Sequence, residues 1–197
     1  MLVLTIDQRD SRHDLDRVEE LLRRLKSRPE VGRLVRPFER TAGDEVQGLL
    51  DRPDDAVAVI LDLVRAGTWY VGVGLGAVRQ PVPPSVRAAS GPAFVHAREA
   101  VQRAKASASR LAVVGPDPVS ASDAEALLAL LAAVIQRRSP QGWEVADLME
   151  RGLTQKEVAT RLGISPQAVS QRLRAALWHE EHRARPLAGR LLAWADR

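Results

Sequence analysis

Two periods of apolar and polar positions alternate along the chain. The run "LVLTI" ends at Asp7 and reads as a strand. The next stretch, "DLDRVEELLRRLKS", places Leu15, Val18, Leu21, Leu22 and Leu25 at helical spacing, with acids early and bases late as the helix dipole favours. "RLVRPF" and "EVQGLL" flank the turn "RTAGD" and predict a hairpin. Pro53 and two aspartates open a helix, "PDDAVAVILDLVRAG", which Gly67 closes. In the following strand, "WYVGVGLGAV", Gly72, Gly74 and Gly76 alternate with Val71, Val73 and Leu75. One face is thus nearly bare, which predicts close approach by another element. A proline-rich loop, "PVPPSV", leads to the helix "PAFVHAREAVQRAKA" and a last strand, "RLAVVG".

The order β-α-β-β-α-β, with one further helix and strand, is that of a split βαβ sheet. A right-handed crossover makes the first two strands parallel and leaves room between them for the hairpin's second strand. Asp7 and the Asp44–Glu45 pair then converge at one rim. "GPDPVSASD" reads as a linker, and Ser122 with Glu125 as a capping box for the helix "DAEALLALLAAVIQRR". That helix is apolar on more than one face, so it packs on the sheet or on a second copy of the chain.

Further on, "GLTQKEVATRLGISPQAVSQRLRAALWHEE" carries a denser set of signals. Thr154 with Glu157 forms a capping box, Val158, Ala159 and Leu162 line an inner face, and Gly163 allows a sharp turn. Ser165 caps a second helix with Pro166 at its first position and Val169, Leu173 and Ala176 inward. An upstream helix, "PQGWEVADLMERG", supplies Trp143, Val145, Leu148 and Met149 as the third side of a small core. The result is a helix-turn-helix unit. Its expected DNA-facing residues are Thr154, Gln155, Lys156, Ser165, Gln167, Ser170, Gln171, Arg172 and Arg174. Glutamine pairs with adenine and arginine with guanine in the major groove, while arginines and helix-start N–H groups hold phosphates.

Composition sharpens this picture in three ways. Cysteine is absent, which excludes disulfides, thiolate zinc sites and cysteine nucleophiles. The net charge of +4 lies wholly in residues 137–197, where 11 basic residues face 7 acidic ones; the remainder is balanced at 18 each. No apolar run is expected to reach the roughly 20 residues of a membrane span, and "MLVLTID" carries no basic or leader-like start, so a cytoplasmic protein is expected. His13, His96, His179 and His182 show no ligand grouping.

Asp7 at a strand end and "GDE" opening another strand resemble the core of class III nucleotidyl cyclases and their GGDEF relatives. "YVGVGLGAV" and "GPAFVHAREA" extend the likeness over much of residues 1–105. The resemblance implies divalent-ion binding, Mg²⁺ at Asp7 and Asp44 with Glu45 beside them, where hard oxygen ligands neutralise phosphate charge. By local pattern alone, Asp44 and Glu45 also read as the shoulder of a type I turn, where Gly and Asp are favoured for backbone reasons. Asp10, Ser11 and Arg12 read as a loop cap, or Arg9 and Arg12 as counter-charges to phosphate. Where cyclases carry an asparagine and, four residues on, an arginine, this chain has Val95 and Glu99, and a glutamate there repels a polyphosphate. Over nearly its whole length the chain also resembles the SatD family of bacterial proteins, through "IDQRDSR" (with Ile6 in place of a glycine), "GDEVQGLL", "GPAFVHAREA" and the "TQKEVATRLG" segment, which itself is similar to region four of sigma factors.

The expected architecture is α+β: a ferredoxin-like, cyclase-palm-like βαββαβ domain over residues 1–118, a connecting or dimerisation helix over 119–138, and an all-α helix-turn-helix domain over 139–197. The expected function is a sequence-specific regulator of transcription that binds double-stranded DNA as a homodimer, with an N-terminal nucleotide-sensing or dimerisation domain and no membrane association. The alternative is a metal-dependent, cyclase-like nucleotide-converting enzyme brought to DNA by its C-terminal domain.

Overall fold

The computed structural model describes residues 1–11, 14–28 and 34–197; Arg12 and His13, and Arg33 at the start of the expected hairpin, lie outside them. β1 (Leu2–Gln8) lies between β3 (Glu45–Leu50) and β4 (Trp69–Leu75) and is antiparallel to both. β2 (Arg36–Arg40) pairs antiparallel with the outer side of β3, and β5 (Leu111–Val114) pairs parallel with β4. The sheet order is therefore β2-β3-β1-β4-β5. β1 and β2 run the same way with β3 between them, as the crossover argument requires. Among the described residues the protein is a mixed α+β fold with this five-stranded sheet and eight α-helices.

Strand periodicity divides the sheet into two different faces. Leu2, Leu4 and Ile6 of β1 share one face with Val71, Val73 and Leu75 of β4 and with Leu111 and Val113 of β5. They build the main core with α1 (Val18–Lys26), α2 (Pro53–Ala66), α4 (Pro118–Gln136) and the latter half of α8 (Trp178–Ala195). On the other face, α3 (Pro92–Ala106) lies directly on β4. A Cβ on Gly74 would sit 2.1 Å from the Ala97 nitrogen and 2.2 Å from the Ala93 oxygen, and one on Gly72 would sit 2.3 Å from the Val101 nitrogen. The helix answers with Ala93, Ala97, Ala100 and Ala104, all buried. The bare strand face thus receives a helix backbone.

Three expectations from the apolar pattern change in the folded chain. Leu15 was expected on the inner face of the first helix, but it precedes α1 and is 79% exposed. Gln8 takes over the local backbone, donating to the Leu15 carbonyl and accepting from the Arg17 N–H, and Asp16 accepts from the Val18 N–H, so side chains compete with an earlier helix start. The linker reading of "GPDPVSASD" also fails, because Asp117 accepts from the N–H groups of Val119 and Ser120 and starts α4 at Pro118. Ser122 lies inside the helix, and Glu125 accepts from the Val113 N–H at 2.8 Å instead of closing a capping box. Finally, α4 has 19 residues and a mean hydropathy of 1.6, long and apolar enough by length and composition to cross a membrane. Its Ala124, Leu128, Leu131, Ala132 and Ile135 pack in the sheet core.

α5 (Pro140–Glu150), α6 (Gln155–Leu162) and α7 (Pro166–Ala175) form a second core around Val145, Leu148, Val158, Ala159, Val169 and Leu173. α8 belongs to both cores, with Trp178 on the second and Ala188, Leu192 and Ala195 in the first. Where the two meet, Arg138 and Glu181 are buried with side chains only 1% and 0% exposed and 3.6 Å apart. Arg138 also donates twice to the Ala176 carbonyl, and Arg185 binds both Glu181 oxygens at 2.6 and 3.1 Å. Burial pulls the Arg138 guanidinium below its ordinary pKa against the opposing field of Glu181, but arginine starts so high that it stays charged.

Two substitutions test this account. Gly74→Ala is expected to destabilise the protein by about 3 kcal/mol or more, because its methyl meets backbone that cannot yield; the urea midpoint measures it. Glu181→Ala leaves the buried Arg138 without its carboxylate partner, while Arg185 keeps Glu150 at 2.8 Å, and is expected to cost about 3–5 kcal/mol by the same assay.

Candidate functional site

The carboxylate rim forms where the strands bring it. Asp7 faces Glu45 directly across the β1–β3 pair and faces Tyr70 across the β1–β4 pair. Asp44 sits in the turn one residue before β3, after Gly43 with a φ of 56°. Both strand carboxylates are already engaged. Lys105, from the end of α3, donates to Asp7 Oδ2 at 2.8 Å, and Glu45 Oε1 accepts from the Thr41 hydroxyl at 2.6 Å and the Gln47 amide at 3.2 Å. Arg9 donates to the Gly67 carbonyl at 3.0 Å and lies 3.9 Å from Asp10. Among the described residues no group of three or more His, Asp or Glu side chains is placed to hold a metal ion. His96 instead pairs its Nδ1 with the Leu75 carbonyl at 2.6 Å, and His182 stacks on Trp178.

Beside this rim, a cleft of about 480 Å³ separates β3 from α3, bordered by Glu45, Gln47, Arg87, Phe94, Val95 and Arg98. Val95 is 66% exposed on the cleft side of α3. Glu99 lies on another side of the helix, with His96 and Arg103 in a separate hollow, so it does not face Glu45. The cleft's cation on α3 is Arg98, one position before the residue that the cyclase pattern singles out. Periodicity could have found it, because positions 94, 95 and 98 share a helical face.

The C-terminal helices are assembled by their caps. Thr154 accepts from the Glu157 N–H at 3.3 Å, and Glu157 accepts from the Thr154 N–H at 2.7 Å. The Thr154 N–H, and after it the Thr154 hydroxyl at 2.8 Å, hold the Glu157 carboxyl below the usual carboxylate range, so the carboxylate half of the box is intact at neutral pH and is lost as pH falls through that lowered value. Gly163 turns the chain at φ 66°, ψ 31°, and Ser165 starts α7 by accepting from the Ala168 N–H at 3.1 Å. Val158, Ala159, Val169, Leu173 and Ala176 are buried as expected, while Leu162 and Met149 are half-buried.

The expected DNA-facing residues fall into four groups. Lys156, Gln167, Gln171 and Arg174 are exposed, and Gln171 and Arg174 have no side-chain partner among the described residues. Thr154 and Ser165 spend their hydroxyls on caps but are also exposed, and Gln155 and Ser170 are half-buried. Arg172 departs from expectation: it turns to α5 and pairs with Glu144 at 3.0 Å, because it lies one helical step from the inward Val169. Trp143 also departs. Two residues, roughly 200° of helix, separate it from the inward Val145, so it faces the sheet core. There the guanidiniums of Arg65 and Arg138 lie over its ring at 3.7 and 4.4 Å, with Asp147 pairing Arg65.

An α+β protein with a five-stranded mixed sheet, to which a cluster of short capped helices is joined through α8, is the class defined by this geometry. The SatD family profile matches residues 4–192, and the chain belongs to the SatD family. It matches no curated protein and no solved structure.

Proposed function

We propose that this protein is a cytoplasmic, sequence-specific DNA-binding regulator, in which a ferredoxin-like, cyclase-palm-like sheet domain senses a nucleotide and a helix-turn-helix formed by α6 and α7 reads DNA. The observation that carries the reading is the outward side of α7. Gln167, Gln171 and Arg174 are open to solvent while Val169 and Leu173 anchor the helix from behind. Glutamine and arginine are the side chains that make paired hydrogen bonds to adenine and guanine edges. The strand order β2-β3-β1-β4 supports the ferredoxin-like assignment, and the exposed Leu130 of α4 and Trp194 of α8 support pairing of two copies. A dimer places its half-sites about 34 Å apart or a multiple of that. The engagement of Asp7 by Lys105, with Val95 and Glu99 at the cyclase positions, favours sensing over catalysis.

Fluorescence anisotropy with labelled duplex fragments across a salt series tests the reading. Wild-type affinity is expected to fall steeply with salt. Arg174→Ala is expected to lower the log–log slope by about one if it holds a phosphate, and Gln171→Ala to cost about 1–3 kcal/mol on the preferred sequence alone. Absence of duplex binding at about 50 mM salt would remove the regulator reading.

A further inference from the structure

We propose that the cleft between β3 and α3 binds a nucleoside monophosphate, with Arg87 and Arg98 on the phosphate and Gln47 on the nucleoside. This deepens the sensing half of the function proposed above and is independent of the DNA-binding half.

The cleft's size, about 480 Å³, is that of a small-molecule site. Its two cations are uncommitted: neither guanidinium has a hydrogen bond or ion pair among the described residues, whereas Arg65, Arg103, Arg172 and Arg185 are all paired with carboxylates. An arginine fork matches the oxygens of a phosphate. Both forks stand on anchored backbone. Arg98 follows Ala97, which is seated against Gly72 and Gly74. Arg87 lies in a short 3₁₀ turn, Val86–Ala88, whose N-cap Ser85 accepts from the Arg87 N–H and donates to Glu39 of β2. Arg36 ties the same wall to β2 through the carbonyls of Val82 and Pro83. Anchoring of this kind lowers the ordering cost of binding.

The rest of the lining selects the other half of the ligand. Gln47 is only 7% exposed, and its amide nitrogen donates to Thr5 Oγ1 and Glu45 Oε1, both at 3.2 Å. These bonds orient the amide and leave its oxygen as an acceptor without a donor among the described residues, suited to a base amino group or a sugar hydroxyl. Phe94 and Val95 offer an apolar wall for a ring. The start of α3 is not the anion site, because the N–H groups of Ala93, Phe94 and Val95 already donate to Ala77 and Gly91. The phosphate therefore falls to the two side chains. Glu45, in the same lining, offsets one of the two positive charges, which favours a single phosphate over a polyphosphate.

Calorimetric titration of the full chain with AMP, GMP, CMP and UMP, their nucleosides and inorganic phosphate tests the proposal. At least one monophosphate is expected to bind once per chain, with its nucleoside and inorganic phosphate each about tenfold weaker or more. Arg87→Ala and Arg98→Ala, both at exposed positions, are each expected to weaken it about tenfold or more, and Arg190→Ala on α8 to leave it unchanged. No monophosphate binding up to about 1 mM, equal binding of inorganic phosphate, or full affinity in both arginine variants would overturn it. Duplex binding without nucleotide binding counts against the cleft alone, and nucleotide binding without duplex binding counts against the regulator reading alone.

Discussion

The direct contact between the backbone of α3 and the glycines of β4 is the constraint on which this architecture rests. Two missing side chains, at Gly72 and Gly74, let a helix with an alanine face lie against the strand at a separation that no larger residue permits. α3 is seated over β4, and the same face of β3 is covered only in part, with Leu49 buried in a cluster that includes Val78 and Val86. The cleft with Gln47 at its floor is what remains of that face. The same seating carries Lys105 to Asp7, so one packing contact both closes the carboxylate rim and opens the cleft beside it.

A second constraint joins the sheet to the C-terminal helices. Arg138, Glu181 and Arg185 form a buried ionic cluster at the point where α8 leaves one core for the other. Buried charges of this kind add little net stability relative to apolar packing, but losing one partner is costly, so they enforce a particular docking. Trp143, with the guanidiniums of Arg65 and Arg138 over its ring, extends the same junction toward α2. The outward side of α7 is therefore presented from a framework in which helices of both cores take part.

The chemistry of the two candidate surfaces differs in the same way as their surroundings. On α7, polar side chains project into solvent from a small, well-capped support, an arrangement suited to a large polyanion that supplies its own shape. At the cleft, a few polar groups border a partly open hollow of about 480 Å³ with anchored walls, an arrangement suited to a small ligand. Membership of the SatD family covers both surfaces within a single matched span, residues 4–192.

Much of this was legible in the amino-acid order, for local reasons. Alternation in β1 and β4, Pro53 and Gly67 at the ends of α2, and the Thr154–Glu157 and Gly163 signals are set by neighbours a few residues apart, so strands, helix ends and the crossover could be read directly. Even the opposition of Asp7 and Glu45 followed from chain direction and connection handedness. Other features depend on partners distant in sequence. The pattern left open which body would fill the glycine face. Pro186 and Gly189 interrupt the helical pattern of α8, although Ala188, Leu192 and Ala195 have core spacing. The pairing of Arg138 with Glu181, the turn of Arg172 toward Glu144 and the meeting of Arg87 with Arg98 were decided by tertiary packing alone, because a charged side chain's partner is set by where whole elements dock, which local pattern does not encode.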